Sequence, residues 1–148
     1  KLGALKTIPI SSSEERSVVP PSARFVMGGS GMPYGEMLRG YEENSVGPEG
    51  YYNAGNIMLK YSLEFRLSLS ESPTIYALAF SEAGNVWEDF NSVDPFNLKR
   101  SAGVGVRLFM PMLGMLGYDM GYGFDNVGNF ENDGPRGWEH HLIFGMPF

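Results

Sequence analysis

One segment constrains this chain more than any other. From position 57 every second residue is large and apolar: Ile57, Leu59, Tyr61, Leu63, Phe65, Leu67 and Leu69. Between them stand Met58, Lys60, Ser62, Glu64, Arg66 and Ser68. A helix would scatter such a pattern around its circumference, whereas a strand turns successive side chains to opposite faces. The segment therefore reads as a long strand with one fully apolar face and one polar face.

The same period returns further along. Leu116, Tyr118, Met120, Tyr122 and Phe124 alternate with Gly117, Asp119, Gly121, Gly123 and Asp125. Val104, Val106, Leu108 and Met110 alternate with Gly103, Gly105, Arg107 and Phe109. Trp138, His140, Leu142, Phe144, Met146 and Phe148 alternate with Glu139, His141, Ile143, Gly145 and Pro147. Residues 24–27 form a shorter candidate strand, and residues 2–10 a weak one. Residues 74–87 are strand-like but do not alternate cleanly: Tyr76, Leu78 and Phe80 share a face with Glu82, opposite Ile75, Ala77, Ala79 and Ser81. The pattern alone does not assign the two sides.

What could such strands build? No stretch supplies the roughly 18 uninterrupted apolar residues that a spanning helix needs. The most apolar run, residues 108–118, is cut by Pro111, Gly114 and Gly117. A membrane β-barrel stays open, because its strands need only about 9–11 alternating residues. The absence of cysteine excludes a disulfide scaffold and any thiolate nucleophile or metal site. With a formal charge of −6 and no basic stripe, the chain has nothing with which to neutralise phosphates, so no nucleic-acid partner is expected. It begins at Lys1 rather than Met and shows no signal peptide, which reads as a mature, processed or truncated piece.

Connection lengths also alternate. Residues 28–55, 88–99 and 126–137 are long links, while 71–74 and 111–114 are tight ones. Long loops at one end and short turns at the other suit an outer-membrane barrel. Residues 11–22 fit poorly, since they are long on the side expected to be short. A soluble β-sandwich also alternates, but its strands are usually nearer 5–6 residues and seldom carry seven large apolar residues on one face.

The segment Gly28-Gly29-Ser30 through Met37-Leu38-Arg39-Gly40-Tyr41 resembles the sixth extracellular loop of the BamA-like outer-membrane assembly factors of the bacterial surface antigen superfamily. The hallmark is an aliphatic residue, Arg, Gly and then an aromatic. Further matches follow in family order: Ser62-Leu63-Glu64-Phe65, the acidic-x-Gly-x-Val-Trp strand at Glu82-Ala83-Gly84-Asn85-Val86-Trp87, residues 94–103, and the tight turn Pro111-Met112-Leu113-Gly114. The chain ends on Phe148 with Gly145 three residues before it, as the family does. Glu82 departs from the many relatives that carry Asp there, keeping the acid with one more methylene of reach.

The resemblance implies an all-β fold: an antiparallel meander of about seven strands, the C-terminal part of a sixteen-stranded transmembrane β-barrel preceded by periplasmic repeat domains. Residues 1–148 would be that barrel portion, with the long extracellular loop at about 28–55. It also implies that the loop folds into the lumen, where Arg39 of Leu38-Arg39-Gly40-Tyr41 meets Glu64 and Glu82. Glu64 lies on the polar face by alternation alone. A guanidinium is a planar fork suited to bidentate pairing with a carboxylate. Gly28, Gly29, Gly31, Gly40 and Gly50 lend the loop backbone freedom.

The last strand carries Phe144, Gly145, Pro147 and Phe148. Pro147 removes a ladder hydrogen bond and Gly145 weakens the strand, so its seam with the barrel's first strand should be weak. In the family that seam is the lateral gate, through which a nascent strand adds by β-augmentation. The adjacent His140 and His141 point to opposite faces and cannot chelate a metal together; no metal and no cofactor are expected. Asp119, Asp125 and Arg107 should line the lumen. Glu14, Glu15, Glu42 and Glu43 read as solvated loop charges, and Tyr118, Tyr122, Trp138 and Phe148 as girdle aromatics.

The expected function is folding and insertion of nascent outer-membrane proteins in the bacterial outer membrane, without enzymatic chemistry. Expected partners are those clients, accessory assembly lipoproteins, the lipid bilayer and lipopolysaccharide. The alternatives are a polypeptide secretion transporter of the same superfamily and a passive porin-like or ligand-binding β-barrel, for which Arg39 would meet nothing acidic.

Overall fold

A computed structural model describes residues 1–4, 23–31, 34–48, 53–112, 114–127 and 135–145. Six strands order the described chain: β1 (Leu2–Ala4), β2 (Ile57–Glu71), β3 (Thr74–Trp87), β4 (Lys99–Met110), β5 (Gly114–Gly123) and β6 (Gly137–Gly145). They form one sheet in sequence order, every neighbouring pair antiparallel. The fold is all-β, a meander with a 3-10 turn at Phe90–Ser92 between β3 and β4.

Two sequence expectations change. Residues 24–27 do not form a strand. Phe25 bridges Gly55, and Met27 bridges both Glu36 and Val46, so this stretch is knitted into the long connection rather than into the sheet. The described strands therefore number six, against an expectation of about seven. Nor do residues 24–27 split the connection from β1 to β2 into a short link and a long one; residues 5–22 lie outside the described residues. β1 pairs directly with β2, Leu2 opposite Leu59, so that connection joins two hydrogen-bonded neighbours. With that change the three long connections, β1 to β2, β3 to β4 and β5 to β6, leave from one end of the sheet. The two tight turns lie at the other.

Register sorts the side chains. Leu63 faces Ser81, Phe65 faces Ala79 and Leu67 faces Ala77, and these continue into Val104, Val106, Tyr118, Leu142 and Phe144. On this outer side Leu63 is 75% exposed and Phe65 71%. Large apolar groups bared across neighbouring strands fit lipid as their solvent, and with water they would form an improbably large patch. Among the described residues no helix is long and apolar enough to cross a membrane.

The packed core lies on the inner side, and the long connection builds it. Met27, Leu38, Tyr41 and Val46 are fully enclosed against Met58, Val86 and Val127. This explains the uneven alternation of β3. Its even positions, Leu78, Phe80 and Glu82, point inward beneath the loop, while the small Ala79 and Ser81 point out.

Candidate functional site

Four inner-wall strands converge on Arg39. Alternation aims Lys60, Ser62 and Glu64 inward from β2, and Phe80 and Glu82 from β3. β4 contributes Ser101 and Arg107, and β5 contributes Asp119. The loop places the Arg39 guanidinium, 2% exposed, at their centre. Nη2 donates to Glu82 Oε1 at 2.8 Å, and Nη1 donates to Glu64 Oε2 and to Asp119 Oδ2, each at 3.1 Å. The Arg39 backbone N donates to Glu82 Oε2 at 2.9 Å, so Glu82 grips the residue by main chain and side chain together. The guanidinium carbon stands 3.7 Å from the centre of the Phe80 ring, a cation–π contact on its flat side.

The two carboxylates expected to meet Arg39, Glu64 and Glu82, do so, and Asp119 joins them. The guanidinium cannot pair bidentately with acids on three different strands at once, so each takes one bond from the side chain. Burial works against the Arg39 charge, but the bonds and charges of Glu82 and Asp119 outweigh it and raise the pKa above its ordinary value.

Each wall acid also has a cation on a strand. Lys60 Nζ lies 3.5 Å from Glu82, and it donates as well to the loop carbonyl of Met37. Arg107 reaches both oxygens of Asp119, with Nη2 donating at 2.7 Å to Oδ2. Arg66 Nε donates to Glu64 at 2.5 Å. Ser62 Oγ donates to Glu82 Oε1 at 3.0 Å.

The neighbours of Arg39 anchor the tip. Gly40 has φ +89°, a left-handed conformation that suits glycine. It lies flat on β5: a Cβ built on Gly121 would come within 2.7 Å of the Gly40 nitrogen. The Gly40 N–H donates to His141 Nε2 at 3.1 Å. Tyr41 Oη donates to the Arg100 carbonyl at 2.7 Å and accepts from Asp125 N at 3.3 Å. Burial pushes the Tyr41 phenol above its ordinary value. The hydrogen bond from the Arg100 side chain holds the Asp125 carboxyl below the usual carboxylate range. Leu38 is fully buried in the loop core.

A family model of the Omp85 superfamily domain matches residues 3–141. The chain belongs to the Omp85 superfamily. No curated protein matches it at a significant level. Members of the Omp85 superfamily are bacterial outer-membrane proteins that serve assembly or transport and are not enzymes.

Within this Omp85 domain, the structure brings Leu38, Arg39, Gly40 and Tyr41 together with Glu64 and Glu82. Phe144 and Gly145 lie apart from them, at the end of β6, where Phe144 pairs with Leu116 and Gly145 with Met115. Phe144 is outward and exposed. Pro147, Phe148, Gly50, Glu14 and Glu15 lie outside the described residues. Asp125 does not line the seat of Arg39; it pairs with Arg100 at the loop end of the sheet. Glu42 and Glu43 are tied rather than simply solvated: Glu42 pairs with Arg136, and Glu43 accepts from the Ser30 and Gly31 backbone.

Sequence reasoning missed three partners. Asp119 stood on the inward face, yet nothing local linked it to a residue 80 positions away. Phe80 stands two residues before Glu82 and so shares its face, a signal usable once the side of β3 was assigned. Among the inner-wall glycines, Gly121 and Gly123 stand one strand period apart beneath the Gly40 backbone, a surface cleared for its approach, and Gly103 leaves room for the Phe80 ring.

Proposed function

We propose that this chain is the C-terminal part of a sixteen-stranded BamA-like barrel that folds and inserts nascent outer-membrane proteins. Residues 28–55 belong to an extracellular loop that returns into the lumen, and the seam beside the last strand, at Phe144, Gly145, Pro147 and Phe148, is its lateral gate. The observation that carries this reading is the seating of Arg39 on Glu64, Glu82 and Asp119. A passive pore has no use for a loop fixed by acids from three strands, whereas a machine that must keep its lumen ordered while one seam opens does. The driving force is client strand pairing and apolar burial, with no nucleotide, cofactor or enzymatic step. The partners are the nascent clients, accessory lipoproteins, the bilayer and lipopolysaccharide.

Arg39→Ala tests the reading in the full protein. Assembly of clients should fall and protease sensitivity of the loop should rise, while the barrel stays folded. Unchanged assembly together with unchanged loop protection refutes it. A disulfide joining the last strand to the barrel's first strand should stop insertion, and normal insertion by the joined barrel defeats the gate. Export of a secreted polypeptide in place of client insertion would move the chain to the transporter branch.

A further inference from the structure

His141 takes no part in the acid seat, yet it is only 7% exposed and grips the loop. It stands on the inner face of β6, directly opposite Asp119 of β5. The other seat contacts reach β2 to β5; the Gly40 N–H to His141 Nε2 bond carries the tip on to β6. An N–H donates, so Nε2 must accept, and the imidazole must be neutral with its hydrogen on Nδ1. An imidazolium has two N–H donors and would turn one of them against the Gly40 N–H.

The surroundings of the ring are mixed in sign. Arg39 from the loop is a like charge to an imidazolium. Asp119 from β5, Glu139 from β6 and Glu43 from the loop are opposite charges. Burial of the ring opposes its charge more than any of these, and the three carboxylates offset part of that cost, so a protonated ring keeps partners while the bond to Gly40 is lost. The loop tip has no freedom to offer a different group, because its backbone rests on Gly121 and Gly123.

We propose that neutral His141 is a positioning residue that ties the loop tip to β6, and that its protonation releases this tie. The inference rests on the docked-loop reading given under Proposed function and adds to it a proton-controlled link between loop and last strand.

Hydrogen–deuterium exchange at the Gly40 amide reads the bond itself. The full protein in lipid nanodiscs is compared with His141→Gln, which keeps a non-titrating acceptor, and with His141→Phe, which has none. Protection factors remove the intrinsic pH dependence of exchange. Between pH 8 and pH 5, wild-type protection should drop about tenfold, the loss expected for one hydrogen bond. His141→Gln should stay flat, and His141→Phe should be low at both ends. Equal pH dependence in wild type and His141→Gln overturns the proposal, as does full protection in His141→Phe. Arg39→Ala separates the two readings. If it leaves Gly40 protected, the docked-loop reading fails; if it exposes Gly40 while His141→Phe does not, the histidine tie alone fails.

Discussion

On its outer side the sheet presents Leu63, Phe65, Leu67, Val104, Val106 and Leu142, all exposed. On its inner side the same strands present Lys60, Glu64, Glu82, Arg107 and Asp119, most of them buried. The usual sense of inside and outside is inverted, and the reason is the solvent. Lipid accepts any apolar group of about the right size, so the outer face is specified by class. The inner face must fit one particular loop, so it is specified residue by residue, down to glycines where a methyl would strike the Gly40 backbone. Substitutions should therefore behave differently on the two faces.

The largest effect is expected on the inner face. Glu82→Gln strips the charge that holds the Arg39 guanidinium and leaves buried cations at positions 39 and 60; breaking such a pair costs about 3–5 kcal/mol. Denaturant unfolding of the barrel in liposomes measures it, and a loss below about 1 kcal/mol would erase the contrast between faces. Next comes Leu63→Arg on the outer face, which should cost about 2–4 kcal/mol if that face lies near the bilayer centre. Leu63→Ile should cost far less, and comparable losses for both would mean that the outer face is not in lipid.

Gly121→Ala sharpens the comparison at intermediate size. Its added methyl meets the Gly40 nitrogen and should unseat the tip for about 1–3 kcal/mol. Proteolysis of the loop reports this, with barrel folding unchanged. The smallest effect concerns pH at Tyr41. Its phenol pKa is raised in the folded state, so its contribution is complete below the unfolded value of about 10 and fades as pH climbs through the folded one. A spin label at position 34, an exposed loop site in a chain without cysteine, should mobilise progressively as pH rises above about 10 when Tyr41 is present. Tyr41→Phe should lose that pH response, with about 1 kcal/mol weaker docking at neutral pH.

Much of this architecture was legible in the residues because lipid-facing strands write their pattern locally. The β2 alternation fixed the side of Glu64 with no knowledge of its partner. β3 was illegible for the opposite reason. Its inner face is covered by a loop, so it carries Leu78 and Phe80 where a water-filled lumen would carry polar groups. Its outer face is made of small Ala77, Ala79 and Ser81, so neither side looked distinctly apolar. Met58 was obscured in the same way, a core residue on a face otherwise polar. The network around Arg39 joins residues far apart in sequence, and no local period reports which of several inward charges will meet. Here the resemblance to BamA-like assembly factors supplied Glu64 and Glu82 but not Asp119, and the loop bridges at Met27 replaced an expected strand.

The strand-borne cations beside Glu64, Glu82 and Asp119 bear on how such a protein is built. Each acid can enter the bilayer already neutralised by a companion on its own or the adjoining strand, before any loop arrives. In the proposed barrel the sheet is then free to form first and receive Arg39 afterwards, as a finished vessel takes its stopper. Withdrawing that stopper leaves no stranded charge behind.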